Sequence, residues 1–176
     1  KKPQTEVNSA RELQEQGIEV EWGGHSSRVY ESDAIVVSPG ISDATPVMRE
    51  IRKRGIPVFS ELEIASWFCK APIIAVTGSN GKTTTCSLLA EMFRAGGKEV
   101  IVAGNIGAPF SSYAQTIDSS GVAIVEVSSF QLEHIDTFHP SVSIILNLTP
   151  DHLDRHGTMA AYGEIKGRIC SCQQKG

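Results

Sequence analysis

The chain has no long apolar run. Its apolar stretches, such as Ile144-Ile145-Leu146, fall far short of the roughly 20 residues that a membrane helix needs. The opening Lys1-Lys2-Pro3-Gln4 leads into no apolar signal segment, and there is no initiator Met. A membrane partner is therefore not expected. Charge of one sign is also scarce: the formal net charge is -4, and Lys and Arg are scattered without a basic patch. That speaks against nucleic acid as a partner, but one Lys and a few backbone N–H groups still suffice for a phosphate ligand. There is no internal repeat and no low-complexity segment. Of the four cysteines, Cys69, Cys86, Cys170 and Cys172, none stands in a CxxC spacing. Cys170 and Cys172 form a CxC that could be a weak metal site; the plainer reading is reduced thiols of a cytoplasmic protein.

What is present suits a globular protein: 40% hydrophobic and 20% charged residues. With 176 residues there is room for one ordinary domain or two small or incomplete ones. Residues 9–16 read as a short helix with Gly17 placed to end it, and Ile18-Glu19-Val20-Glu21-Trp22 alternates like a strand. Ala34-Ile35-Val36-Val37 is a continuous apolar run broken by Ser38-Pro39-Gly40-Ile41, the pattern of a buried parallel strand and a tight turn. Residues 46–54 read as a helix stopped at Gly55, then 56–59 as a strand and 61–68 as a helix. Ala71-Pro72 marks an expected domain boundary. Beyond it come strands at 73–76, 100–102, 122–127 and 143–147, with a helix at 82–95 closed by Gly96-Gly97. The expectation is an α/β fold of parallel sheets with helices on both faces. Ser171 to Gly176 carry no core signal.

The strand ending in Val76-Thr77 runs into Gly78-Ser79-Asn80-Gly81 and then Lys82-Thr83-Thr84 at a helix start. Such glycines let backbone N–H groups turn inward without a Cβ in the way. The helix start adds free N–H donors and a positive dipole end. Lys82 can reach the β- and γ-phosphates of a nucleotide, and the Thr83 hydroxyl can bind magnesium. The loop is the short GxxGK[ST]T form, because Val76 stands where the commoner GxxxxGK[ST] pattern has Gly.

Glu126 sits among apolar strand residues, where a carboxylate is costly unless paired or metal-bound. If its strand lies beside the loop strand, Glu126 points at the phosphates and can hold magnesium. Its alternative is a strand-end Glu facing water. The run Asn147-Leu148-Thr149-Pro150-Asp151-His152-Leu153-Asp154-Arg155-His156 follows another apolar strand, at an end where open α/β sheets collect ligands. It could bind metal and substrate, or be a surface loop. Asn105, between Gly104 and Ile106-Gly107, can approach a ligand closely or belong to an ordinary turn. His134 and His139 read as structural or surface residues.

Together these segments resemble the Mur ligase family. The matching stretches are Thr77 to Thr84, Gly104 to Gly107, Glu126 to Glu133, Leu146 to Arg155, and Tyr162 with Lys166. Ser128-Ser129-Phe130-Gln131-Leu132-Glu133 and Ser38-Pro39-Gly40-Ile41 point to the branch of the family that adds D-glutamate. Pro150 stands where other members often have Glu. The resemblance implies a partial Rossmann-like N-terminal domain that binds the UDP substrate at residues 1–70 and a partial P-loop ATPase domain at 71–176, with a third, C-terminal domain absent. It further implies a chain cut at both ends, inactive as a ligase by itself.

The implied activity is an ATP- and Mg2+-dependent amide ligation of peptidoglycan synthesis, serving cell shape and division in the cytoplasm. D-glutamate would be joined to UDP-N-acetylmuramoyl-L-alanine by a monomer. By resemblance Gly78, Ser79, Asn80, Gly81, Lys82, Thr83 and Thr84 hold ATP. Thr83 and Glu126 hold one magnesium, and His152 with a carbamylated Lys166 holds a second. Lys82, His152 and Lys166 are the catalytic set. Ser38, Pro39, Gly40, Asn105, Ser128 and Gln131 face the UDP substrate, and Tyr162 and Lys166, four apart, share a helix face. The competing expectations are a nucleotide-binding module or simple NTPase, and a sibling ligase acting on another amino acid or on folate.

Overall fold

A computed structural model describes residues 4–173. In chain order its elements are α1 (Gln4–Glu15), β1 (Ile35–Val37), α2 (Pro46–Lys53), β2 (Val58–Ser60), α3 (Glu61–Phe68), β3 (Ile73–Thr77), α4 (Lys82–Ala95), β4 (Val100–Gly104), β5 (Val122–Glu126), β6 (Val142–Ile145), α5 (Leu153–His156) and α6 (Met159–Gly167). Short 3-10 turns lie at Ser27–Glu31, Phe110–Ser112, Gln131–His134 and Arg168–Cys170. The described residues form two compact units. One comprises the chain up to Asp33 together with Asp43–Ile56, and the other comprises Ala34–Ser42 with the chain from Pro57 onward.

In the first unit α1 begins earlier than the sequence suggests, at Gln4 rather than near residue 9. Its end matches expectation, with Ile18 N–H donating back to the Leu13 carbonyl at 3.0 Å. α2 starts on Pro46, whose missing N–H costs nothing in a first turn, and buries Met48 and Ile51. The expected strand at 18–22 is absent. Those residues pair with no other strand, and four of the five are exposed. Their polar groups bond locally instead: the Glu21 carboxylate accepts from Ser26 N–H at 2.8 Å, and Glu19 pairs with Arg28. Alternation alone cannot make a strand without a neighbour to bond to.

In the second unit β1 and β2 pair in parallel, Ile35 opposite Val58 and Val37 opposite Ser60. The other four strands form one parallel sheet in the order β4-β5-β3-β6. Alternate residues of β3 serve opposite faces, as a strand's period of two requires. Ala75, Ala123 and Val125 pack with Leu62 and Ala65 of α3, Phe110, Leu132 and Phe138. Ile74, Val76 and Ile124 pack with Cys86 and Ala90 of α4. Helices thus cover both faces of the sheet, and β3, buried along its whole length, holds a fixed position for the loop that follows it. The expectation for Ser171 to Gly176 falls partly outside the described residues, at 174–176. Among the described residues no helix is long and apolar enough to cross a membrane.

Candidate functional site

The loop between β3 and α4 is pinned from both sides. Thr77 Oγ1 donates to the Val127 carbonyl at 2.7 Å, anchoring the strand end. Gly81 caps α4 in the left-handed conformation, φ +83°, which a side chain would strain. Ser79 N–H donates to the Asn147 carbonyl at 3.1 Å. Asn80 and Asn147 exchange two hydrogen bonds, Asn80 N–H to Asn147 Oδ1 and Asn147 Nδ2 to the Asn80 carbonyl, both at 3.0 Å. Ser79 Oγ accepts from Thr149 N–H at 3.0 Å and lies 3.2 Å from the Tyr162 hydroxyl. The segment leaving β6 therefore braces the loop. Thr83 and Thr84 open α4 and are exposed.

Two ammonium groups converge on the loop. Lys82 Nζ donates to the carbonyls of Gly78 at 2.9 Å and Ser79 at 3.1 Å. Lys166, only 2% exposed on α6, donates to Thr77 Oγ1 at 3.2 Å and to the Gly78 carbonyl at 3.1 Å. Its Nζ also lies 4.8 Å from the ring centre of Tyr162. Burial, then the nearby Lys82 charge, push the Lys166 amine down to about 8, against a partial counter-pull from Asp151.

β5 lies beside β3 with Val76 opposite Glu126, and the carboxylate is buried at 2% exposure. Glu126 Oε2 accepts from Thr83 Oγ1 at 2.8 Å and Oε1 from Asn105 Nδ2 at 2.9 Å. Asn105 is held in turn, its N–H donating to the Glu126 carbonyl at 2.8 Å. Gly104 makes this approach possible: at φ +104° a Cβ there would stand 2.3 Å from that same Glu126 carbonyl oxygen. The alternative of a Glu facing water is therefore excluded.

Thr83 Oγ1 and the Glu126 carboxylate stand side by side as hard oxygen donors. They suit a magnesium ion that keeps some water and takes its remaining ligands from phosphate. Among the described residues no three His, Cys, Asp or Glu side chains gather as a metal cage. Lys166 as an ammonium has no lone pair to offer a second ion; a carbamate on the same nitrogen would.

His152 takes a left-handed backbone, φ 51°, before α5, with its side chain 46% exposed. Its Nε2 lies 3.4 Å from Asp151 Oδ2 and its ring 4.8 Å from that of Phe130. It is hydrogen-bonded to neither Glu126 nor Lys166. A cavity of about 340 Å³ is lined by Ser38, Pro39, Glu61, Gly104, Asn105, Gly107, Pro109 and Gln131. Four of the six expected substrate residues thus share one cavity. Gly40 lies outside its lining, and Ser128 is tied to it through Gln131, whose Oε1 accepts from Ser128 N–H and Oγ at 3.0 Å each. Of the remaining histidines, His134 is buried and His139 exposed.

Several residues here were given no role of their own in the sequence. Glu61 lines the cavity and accepts from Ser111 N–H at 2.5 Å. Glu133 and Arg155 form a two-pronged pair at 2.5 and 3.1 Å. His156 stacks on Phe130 and lies tilted against Tyr162, and burial lowers the affinity of its ring for a proton. Only the four-residue spacing of Tyr162 and Lys166 hinted that α6 presents one face to the loop.

A parallel sheet with a phosphate-type loop at the exit of a central strand, a buried carboxylate from the neighbouring strand and two lysines on the loop defines an α/β protein with a loop of phosphate-binding type. Residues 76–176 match the Mur ligase middle domain, and the chain belongs to the Mur ligase family. It is 47% identical over 174 residues to UDP-N-acetylmuramoylalanine–D-glutamate ligase of Salinibacter ruber, covering 96% of this chain and 38% of that protein. The enzyme of the same name from Chlorobium phaeobacteroides is 49% identical over 172 residues, covering 95% of this chain and 37% of that protein. The chain therefore spans well under half the length of these curated relatives. Among solved structures, UDP-N-acetylmuramate:L-alanyl-gamma-D-glutamyl-meso-diaminopimelate ligase of Neisseria meningitides superposes with a TM-score of 0.57 at 20% identity, covering 95% of this chain and 57% of that one. That likeness shows the fold alone.

Proposed function

We propose that the chain is part of a ligase that uses ATP to join D-glutamate to UDP-N-acetylmuramoyl-L-alanine, a cytoplasmic step of peptidoglycan synthesis carried out by a monomer. In this reading residues 1–70 belong to a Rossmann-like domain for the UDP substrate and 71–176 to a P-loop ATPase domain. One observation carries it: Thr83, Glu126 and Asn105 form a single hydrogen-bonded row between the phosphate-type loop and the cavity of Ser38 and Gln131. A nucleotide on one side and an acyl substrate on the other would meet across that row. Close identity to enzymes named for this reaction supports the choice of substrates.

In the first step a carboxylate oxygen of the UDP substrate attacks the γ-phosphorus of ATP. An O–P bond forms, the bond to the β-phosphate oxygen breaks, and ADP leaves. In the second step the D-glutamate amine attacks the acyl carbon; a C–N bond forms, phosphate departs and the amine releases a proton. Such chemistry depends on positioning and charge neutralisation rather than on a protein nucleophile. Gly81 and the first turn of α4 offer N–H donors to the phosphates, while Asn147 holds the Ser79 and Asn80 N–H groups and so shapes the loop; Lys82 exchanges its loop carbonyls for phosphate oxygens. Thr83 and Glu126 would hold magnesium, and His152 with a carbamylated Lys166 would hold the second ion. Magnesium, when bound, neutralises phosphate charge. Asn105 orients Glu126, while Ser38, Pro39, Gly40, Ser128 and Gln131 seat the UDP substrate.

The lowered Lys166 amine suits carbamylation, in which the neutral nitrogen adds to carbon dioxide and sheds one proton. With its amine at about 8, about a quarter of Lys166 is neutral at pH 7.5, against about one part in a thousand at the ordinary 10.5.

Calorimetric titration of the chain with MgATP, beside Lys82→Ala, tests the nucleotide half of the proposal. Loss of about tenfold or more in affinity is expected on removing a charge-assisted phosphate contact; equal affinity overturns it. In the longer ligase, phosphate release should require both the UDP substrate and D-glutamate. Release with ATP alone would favour a simple NTPase.

A further inference from the structure

Arg155 does more than its place in α5 requires. Its guanidinium grips both oxygens of Glu133, at 3.1 and 2.5 Å, and donates to the Ile41 carbonyl at 2.9 Å. It also lies 5.0 Å over the ring of Phe130. Three separate segments meet on this one side chain: the turn after β1, the turn after β5 and the loop carrying His152. The connections continue inward. His156 Nε2 lies 3.0 Å from Ser129 Oγ, its ring lies tilted against that of Tyr162 at 5.4 Å, and the Tyr162 hydroxyl lies 3.2 Å from Ser79 Oγ in the phosphate-type loop.

Both members of the ion pair are largely buried, with side chains 17% and 12% exposed. A pair in that position is weak evidence for stability, because desolvation offsets most of its attraction. Fixing how elements register is the better-attested use of such a pair. Lysine could not replace it, since one ammonium cannot serve two carboxylate oxygens and a carbonyl in a plane while lying flat on a ring.

We propose that Arg155 is a positioning residue that locks the Ser38–Ile41 turn, the Ser128–Glu133 turn and the His152 loop into one arrangement, so that filling the Ser38–Gln131 cavity is felt at the His152 loop and the phosphate-type loop. The coupling part rests on the substrate reading above; the locking part does not. By linkage, the factor by which the UDP substrate tightens nucleotide binding equals the factor by which nucleotide tightens the UDP substrate.

Hydrogen exchange on the chain decides the matter. The reporters are Ile41, Leu132 and Glu133, whose N–H groups bond to Ser38, Ser129 and Phe130, and Arg155 and His156, which both bond to the His152 carbonyl. In Arg155→Lys these amides should exchange about tenfold faster while the β3 amides stay unchanged, the mark of local rather than global opening. The control Arg94→Lys alters an exposed pair with Glu91 and should change none of them. Adding UDP-N-acetylmuramoyl-L-alanine should protect Ile41, Arg155 and His156 in the wild type but only Ile41 in Arg155→Lys. Unchanged exchange at the reporters, or acceleration spread evenly through β3, overturns the proposal. Should Arg155→Lys fail to fold, Glu133→Gln breaks the same pair and must give the same local pattern. If the UDP compound protects nothing in the wild type, the substrate reading fails, while the ligand-free comparison still decides the locking role.

Discussion

Lys82 Nζ and Lys166 Nζ both donate to the carbonyl oxygen of Gly78, at 2.9 and 3.1 Å. Two cations sharing one neutral oxygen repel each other, and Lys82 is accordingly one cause of the lowered Lys166 amine, after burial. An arriving phosphate would relieve that repulsion. The pair makes a prediction with two linked readouts. Lys82→Ala should weaken MgATP binding about tenfold or more and raise the Lys166 amine from about 8 toward the ordinary 10.5. Nitrogen-detected NMR titration of the lysine side chains reads the second effect. A Lys166 amine that stays put after removal of Lys82 would mean that burial alone sets it.

Lys166 also shapes stability against pH. Its folded value, about 8, lies below its unfolded 10.5, so between them the unfolded chain binds more protons and stability rises with pH. From pH 8 to pH 9 this one group should add about 1 kcal/mol to the unfolding free energy. From about pH 8 upward Cys86 opposes it in part: burial pushes that thiol up from the ordinary 9.0 to about 12, so the unfolded chain loses its proton first, which lowers stability as pH rises. Urea unfolding at pH 7, 8 and 9 should show the rise in the wild type and no rise in Lys166→Met. A rise of equal size in the variant would place its source elsewhere.

Glu126 separates metal binding from folding. Gln at this position keeps the shape, and its amide can still bond Asn105 and Thr83. Glu126→Gln should therefore unfold within about 1 kcal/mol of the wild type. Its nucleotide affinity with magnesium present should fall about tenfold or more, and with EDTA it should barely change, since only the carboxylate charge has been lost. Glu126→Ala leaves the Thr83 hydroxyl and Asn105 amide without their acceptor and should destabilise by about 1–3 kcal/mol. Equal magnesium dependence in wild type and Glu126→Gln would remove Glu126 from the metal site.

The core elements were legible in the residues because apolar runs bounded by Gly and Pro state both where a strand is buried and where it stops. β3, β4, β5 and α4 read well because each combines burial with a punctuating residue. Residues 18–22 misled because alternation is a property of one segment, while a strand is a relation between two. Within the site, Lys82 and Thr83 were legible from the loop, whose geometry is local. Glu126 needed the strand order, which sequence spacing left open until β5 was found beside β3. The Arg155–Glu133 pair was invisible because it joins residues 22 apart in sequence, and neither belongs to a spacing with chemical meaning of its own.

Glu63 is the last test, and it concerns the scaffold rather than the chemistry. This fully buried carboxylate accepts from the backbone N–H groups of Asp136, Thr137 and Phe138 at 3.0, 2.9 and 3.0 Å, and from Trp67 Nε1 at 2.8 Å. The Thr137 hydroxyl adds a fifth donor at 2.5 Å. Burial alone would raise the Glu63 carboxyl, but bonds from Thr137, Asp136 and Trp67 outweigh it and hold the group below its ordinary 4.5. A depressed carboxyl contributes stability that is present above pH 4.5 and lost as pH falls through the folded value. Glu63→Ala strands three buried backbone donors, while the indole N–H keeps the Thr137 hydroxyl as acceptor at 2.9 Å, so a loss of about 3–5 kcal/mol is expected. For a chain of this length that lowers the melting temperature by about 10 °C. Glu63→Gln, with one acceptor oxygen in place of two, should fall between the two and unfold less steeply with acid. Calorimetry from pH 3 to pH 7 gives both numbers. A melting temperature unchanged in Glu63→Ala would mean that water satisfies the 136–138 amides and that the carboxylate is no anchor.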